Sequence, residues 1–436
     1  MIALRYARAE LSICAGCRSS GQLPDDNGFG KQCEAALFGA EAAADYRAGA
    51  GRHTRHSATA AHRLEEHIMP DRAPRVQRGM CETQLYDIFA DFPRPKYPFP
   101  HIMPDYVERL RVEADTWIDQ DCSFNGPADR KRHKRHRFSD LSAFSMPYLT
   151  YAEQLPPSRY TCFGAILDDY LDHTGRTETL AVGDRIRDCL CGRVTPGPDE
   201  HGFHRQFRLV YDDARAAEVP ESIYDRFVTA IDHLVTAYAD EKKWKAIDTP
   251  PPLPVYTALR VHTAGVIPYC EYTALQHDYR DLPESVLTHP HIRRLHELVS
   301  ALVGLQNDFY SFPRELTRRG DVINIVAVLA REQAICYEDA WYAAMELHDF
   351  TLREFIVLQQ NLPDFGPWQD TAERYVTALS INIQGCNTWH QRTSRRYAPG
   401  SYVEPPARRQ PTQSKSEDVG RCAYQAHDPA RRGAGK

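Results

Sequence analysis

Three oxygen-bearing side chains stand one turn apart in the stretch Asn307-Asp308-Phe309-Tyr310-Ser311-Phe312-Pro313-Arg314-Glu315. Asn307, Ser311 and Glu315 fall at i, i+4 and i+8, which a helix gathers on one face. An amide oxygen, a hydroxyl and a carboxylate suit a hard divalent cation such as magnesium. One ridge cannot fill an octahedral shell, so the stretch asks for a partner site. A partner lies upstream, in Ile166-Leu167-Asp168-Asp169-Tyr170-Leu171-Asp172-His173. An apolar run over 160–167 leads into it, and Asp168 and Asp172 share a helix face, with Asp169 beside them. Unneutralised carboxylates there repel one another, and burying them is costly unless cations intervene. Two such ridges facing across a cleft would hold several magnesium ions, and those ions would grip a diphosphate.

The pair Asp168-Asp169-x-x-Asp172 and Asn307-Asp308-x-x-Ser311-x-x-x-Glu315 resembles, in order and spacing, the two metal motifs of class I terpene synthases. The resemblance covers residues 93–397. It implies Mg2+, with three ions expected, bound by Asp168, Asp169, Asp172, Asn307, Ser311 and Glu315. It also implies an isoprenyl diphosphate substrate, with farnesyl diphosphate the leading choice, ionised and cyclised to a sesquiterpene hydrocarbon or alcohol. Arg260, on the apolar segment 256–263, matches the family's diphosphate sensor, and Thr263 and Ala264-Gly265 match the linker and the helix break that presents a carbonyl to the reacting carbons. The sequence leaves open which of Ala264 and Gly265 does so; Asp168, Arg260, Ala264 and Gly265 form the expected catalytic set. Arg314, Arg396 and Tyr397 join Arg260 as expected diphosphate contacts.

Aromatic faces that could steady a carbocation in the cavity are Phe138, Phe144, Phe163, Phe309, Tyr310 and Trp389, each with plain core packing as the competing reading. Gly164 and Ala165, one turn before Asp168, would widen the pocket. The proline-locked segment 92–101 either covers the site mouth, as in the family, or is a linker. Monoterpene or diterpene cyclisation, a chain-elongating prenyltransferase and an inactive diphosphate-binding helical protein are the alternatives. The Asn/Ser/Glu type of the second motif argues against the prenyltransferase, and the Asp-x-Asp-Asp motif of class II cyclases is absent.

The elements that must carry these groups are helical. Amphipathic stretches are expected over 104–120, 138–147, 160–172, 220–245, 290–311, 336–362 and 367–392, with no credible run of strands. The reading is an all-α, single-domain bundle with a central apolar cavity. Pro313 should kink its helix between Ser311 and Glu315. The basic run 130–137 reads as a solvated loop, and Asp212-Asp213 as surface. Residues 1–88 read as a poorly ordered extension, 89–400 as the catalytic domain and 401–436 as a disordered tail, with Met80 a candidate for the true start. Cys14-Ala-Gly-Cys17 and Cys33 hint at zinc but lack a convincing fourth ligand.

The chain has 436 residues, 42% of them hydrophobic, and its charge of 53 − 59 = −6 argues against nucleic acid as a partner. No apolar run reaches the ~20 residues of a membrane span. The 12 cysteines are scattered, as for free thiols in a reducing cytosol. A cytoplasmic monomer or homodimer is expected.

Overall fold

The computed structural model describes residues 76–403 other than 78 and 125. Among them every regular element is helical. In chain order these are α1 (Glu82–Phe89), α2 (Val107–Asp121), α3 (Pro127–Lys134), α4 (Phe138–Ser145), α5 (Tyr151–Leu171), α6 (Arg176–Leu190), α7 (Gly202–Ala216), α8 (Glu221–Ala246), α9 (Leu253–Thr263), α10 (Ile267–Thr273), α11 (Glu284–Leu287), α12 (Pro290–Glu315), α13 (Ile325–Gln333), α14 (Tyr337–Gln360) and α15 (Gln369–Thr388). A single π-turn, Trp389–Thr393, follows α15. No helix among the described residues is long and apolar enough to cross a membrane. The candidate zinc cysteines and the segment Pro406–Lys436 lie outside the described residues.

Two helices set the frame. α5 opens on a capping box: the Thr150 hydroxyl accepts from the Glu153 amide at 3.3 Å, and Glu153 accepts from the Thr150 amide at 2.8 Å. It therefore starts nine residues before the expected helix and runs to the aspartates, with Asp172 as its C-cap. α12 opens with Pro290 in the first turn, where the missing N–H is no loss. Its Leu295, Val299 and Leu302 are fully buried in the main core. α15 closes on α4 so tightly that a Cβ at Gly385 would lie 2.3 Å from the Phe144 carbonyl oxygen. A second core gathers Phe89, Phe92, Phe309, Phe312 and Trp341.

Other departures from the sequence reading lie in the basic run and toward the two ends of the described chain. The basic run is not a loop: its first part forms α3, and His133 and His136 are buried while the arginines face outward. Long cationic stems tolerate this, because only the two imidazoles leave water. At the N-terminal side, α1 lies within the region expected to be unordered, and it buries Leu85 and Phe89. At the C-terminal side, Ser401 and Val403 are buried, so packed chain runs past 400.

Candidate active site

Asp168, Asp169 and Asp172 of the first motif and Asn307 and Glu315 of the second line one cavity. The walls between them are Phe138, Tyr160, Leu234, Tyr238, Tyr269 and Trp389. At about 210 Å³ the cavity is small beside the roughly 300–1,000 Å³ of most ligand pockets. Arg396 and Tyr397 reach into its acidic end.

The acidic wall is electrostatically awkward. Three aspartates sit at the C-terminal end of α5, where the helix dipole is itself negative. Burial, with Asp172 close by, pushes the Asp168 carboxyl up to about 7. Asp172 is also buried, but Lys245 outweighs that and holds its carboxyl below the usual range; the Lys245 ammonium donates to Asp172 at 2.7 Å. Arg396 grips Asp169 with two hydrogen bonds of 3.1 and 2.7 Å. This fork is buried on both sides, a geometry worth more than an exposed pair.

On the facing wall, Arg260 Nη2 donates to Asn307 at 2.8 Å, to Asp308 at 2.7 Å and to the Gly304 carbonyl at 3.2 Å. Burial works to discharge Arg260, but Asp308 and Tyr256 outweigh it and raise its pKa. Asp308 itself faces away from the cavity and accepts from Tyr256 at 2.6 Å and from the Ile325 amide at 2.7 Å. Tyr397 accepts from the Asn307 amide at 2.5 Å. Ser311 is buried beneath the cavity lining, and its hydroxyl donates to the Asp308 carbonyl at 3.4 Å. Burial, then Asp308, raises the Glu315 carboxyl; Asn324 donates to it at 2.8 Å. Pro313 does not end α12 before Glu315.

At the helix break the carbonyls of Ala264 and Gly265 differ in their partners. Gly265 takes a φ of 72°, a left-handed turn that favours glycine. Its carbonyl is occupied by the Tyr160 hydroxyl at 2.9 Å. The residue four beyond Ala264 is Pro268, which has no N–H to give. Among the described residues nothing donates to the Ala264 carbonyl, and Ala264 lines the cavity.

Arg314 has two buried nitrogens, Nε and Nη1, with no hydrogen-bond partner. Its guanidinium lies 5.3 Å from the Tyr397 ring and 5.0 Å from that of Tyr402. A buried guanidinium with unpartnered nitrogens beside a cavity asks for an anion. The two motifs offer only oxygen donors, the set a hard cation takes. Among the described residues no three His, Cys, Asp or Glu side chains cluster into a ready-made cage, so water and ligand oxygens would complete any metal shell.

Of the expected aromatic lining, Phe138 and Trp389 face the cavity. Phe144, Phe163, Phe309 and Tyr310 do not. Phe163 lies off the 160/164/168/172 stripe of α5, and Phe309 sits about 200° around α12 from Asn307, packed 5.0 Å from Trp341. Phe144 is spent against His101 and α15. Tyr310 stacks on His390 at 4.7 Å. Gly164 and Ala165 do line the cavity.

The sequence reading missed Tyr160, Tyr238, Lys245, Arg318, His390 and Tyr402, all of them at the cavity. Lys245 was findable, because Leu234, Tyr238, Glu241 and Lys245 form one stripe of α8. Tyr402 belongs to a strap docked on the basic run: the Arg395 amide donates to the Arg135 carbonyl at 3.1 Å, and the His136 ring meets the Ser401 carbonyl at 2.9 Å.

The family model described as terpene synthase family 2, C-terminal metal binding, matches residues 159–354. 10-epi-cubebol synthase of Sorangium cellulosum (strain So ce56) is 29% identical over 318 residues, covering 71% of this chain and 98% of that protein. Sesquiterpene synthase 1 of Postia placenta (strain ATCC 44394 / Madison 698-R) is 30% identical over 293 residues, 66% of this chain and 84% of its own length. Among solved structures, the SVS_A2 protein from ancestral sequence reconstruction superposes with a TM-score of 0.61 at 21% identity, over 70% of this chain and 91% of that one. A structure of a-eudesmol synthase gives 0.59 at 18% identity, over 68% and 98%.

Proposed function

The chain belongs to the terpene synthase family, and from that premise we propose that it ionises farnesyl diphosphate with magnesium and cyclises the resulting cation to a sesquiterpene hydrocarbon or alcohol. The reading is carried by one observation: oxygen-bearing side chains of both ridges and five cationic side chains line a single cavity whose remaining wall is largely apolar and aromatic. The Postia placenta relative is a sesquiterpene synthase by its printed name, which favours the fifteen-carbon substrate.

In this reading Asp168, Asp169 and Asp172 on α5 and Asn307, Ser311 and Glu315 on α12 hold the metal, with three ions proposed. Magnesium, when bound, supplies Lewis acidity to the leaving diphosphate. Arg260, Arg314, Arg396 and Tyr397 would donate to the diphosphate oxygens, and Lys245 and Arg318, which line the same cavity, would add to them. The strap bearing Arg396 and Tyr397 keeps water from the cation. The open Ala264 carbonyl offers a fixed partial negative charge to the nascent cation, while Tyr160 holds its neighbour still. The faces of Phe138, Tyr160, Tyr238, Tyr269 and Trp389 can each add about 0.5–2 kcal/mol of cation–π attraction in the desolvated cavity.

The test is incubation of purified protein with geranyl, farnesyl and geranylgeranyl diphosphate, with magnesium or with chelator, and chromatography of the volatiles. Fifteen-carbon products from farnesyl diphosphate, lost on chelation, are expected. Ten- or twenty-carbon products alone, chain elongation with added isopentenyl diphosphate, or tight diphosphate binding without turnover would each overturn the reading.

A further inference from the structure

We infer that Arg94 is a positioning residue for the metal-binding turn of α12: it donates the hydrogen bond that Pro313 cannot. In an unbroken helix the amide of residue 313 would bond the carbonyl of Phe309. Proline has no N–H, and its ring crowds that carbonyl. Yet α12 continues through Pro313 to Glu315. The Arg94 Nη1 group donates to the Phe309 carbonyl, entering from a segment remote in sequence. Its Nη2 lies 3.4 Å from the Phe89 carbonyl.

The surroundings of Arg94 point the same way. Its guanidinium lies 4.6 Å from the Trp341 ring and 5.0 Å from the Tyr310 ring. No carboxylate pairs with it among the described residues, and burial lowers its pKa. A half-buried cation held only by carbonyls and aromatic faces is not there to form a salt bridge. Pro93 and Pro95 restrict the backbone on either side, and the Trp341 indole donates to the Pro93 carbonyl at 2.9 Å. The neighbouring carbonyls are served likewise: Asp308 by the Asn324 amide at 2.9 Å, Tyr310 by the Tyr86 hydroxyl at 3.4 Å. Three successive carbonyls, those of Asp308, Phe309 and Tyr310, thus take side-chain donors, and Ser311 and Glu315 follow directly along the same helix. The proline-locked segment is therefore more than a linker, because it holds the end of the metal helix in register.

This inference rests on reading Ser311 and Glu315 as metal ligands, and a double-mutant cycle separates the two ideas. Arg94→Met removes the donors and keeps the length. Pro313→Ala returns the amide. The readouts are thermal unfolding of the metal-free protein, and the magnesium half-saturation in the presence of inorganic diphosphate, followed by calorimetry. Arg94→Met is expected to raise the half-saturation about tenfold, as for loss of a charge-assisted bond, and to lower the unfolding temperature. In the Pro313→Ala background the same change should shift the half-saturation less than twofold and lower the unfolding temperature by less. Equal effects in both backgrounds would overturn the inference and leave Arg94 as a packing residue. If wild-type protein binds no magnesium, the metal reading fails while coupling in the unfolding temperatures still decides the Arg94–Pro313 link. Arg94→Gln, which keeps an N–H donor without charge, runs the same cycle should Arg94→Met not fold.

Discussion

Gly304 sits inside α12, where glycine costs about 1 kcal/mol relative to alanine. The reason for tolerating it lies across the helix interface. A Cβ at 304 would stand 3.0 Å from Arg260 Cγ, 3.3 Å from its Nε and 3.4 Å from the Ala264 Cβ. Glycine lets the Arg260 stem lie against the backbone of α12, where its guanidinium reaches Asn307 and Asp308. Gly304→Ala should gain about 1 kcal/mol of helix propensity and lose about 1–3 kcal/mol to crowding. Net stability should therefore fall by no more than about 2 kcal/mol. Activity has no such compensation. Arg260 must shift by a few tenths of an ångström, and a 1 Å misplacement costs about 10²-fold. A fall in kcat/KM of about tenfold, or ~1.4 kcal/mol, is expected. Denaturant titration and chromatographic product rates on the same preparation check both halves. Wild-type kcat/KM in a folded Gly304→Ala protein would refute the claim that Arg260 is held where the reaction needs it.

Asn307→Ala removes an oxygen from the proposed metal face and should cut turnover by at least about 100-fold with an unchanged circular dichroism spectrum; unchanged turnover would show that the metal binds elsewhere. Asp168, raised to about 7 by burial and by Asp172, holds its proton in the metal-free protein below that pH. Magnesium needs the carboxylate, so binding with inorganic diphosphate should release protons below pH 7 and tighten as pH rises to 7, then level off. Calorimetry in buffers of different ionisation enthalpy reads this directly, and equal proton release at pH 6 and pH 8 would contradict it. Tyr160→Phe deletes the 2.9 Å bond to the Gly265 carbonyl. It should cost about 1 kcal/mol of stability and shift the product ratio by freeing the break beside Ala264; an identical product profile would count against that role.

What could be read without coordinates was what local spacing encodes. Asp168/Asp172 and Asn307/Ser311/Glu315 are helix-face patterns, and the cost of burying carboxylates or Arg260 follows from their apolar flanks. Helix phase relative to neighbours is not local. Phe163 and Tyr160 look alike in an apolar run, yet only Tyr160 faces the cavity, because the stripe through Asp168 passes it. Trp389 and His390 both reach the cavity because a π-turn widens the end of α15, and a period of 3.6 cannot foresee that. The run 130–137 reads as solvated from its charge, and only tertiary packing buries His133 and His136. Arg94 lies 215 positions from the carbonyl it serves; Pro313 signals that a donor is needed and not where it comes from.

Most charges of the site are paired within the protein, and this constrains how it fills. Arg396 is spent on Asp169, Lys245 on Asp172, Arg260 on Asp308 and Arg318 on Asp321. The buried members could not persist unpaired, since breaking such a pair costs about 3–5 kcal/mol. On the proposed assignment, Asp169 can take a metal only when Arg396 lets go, and Arg396 lets go cheaply only if a diphosphate oxygen is there to receive it. Asp172 and Lys245 stand in the same relation. Metal alone would strand the cations, and diphosphate alone would strand the carboxylates. Each ligand therefore raises the affinity for the other, and linkage makes the effect reciprocal. Arg314, with two buried nitrogens already unpartnered, is the group that can meet a diphosphate before any pair opens. Entry should begin there, and Arg314→Ala should slow association of the diphosphate more than it speeds its release.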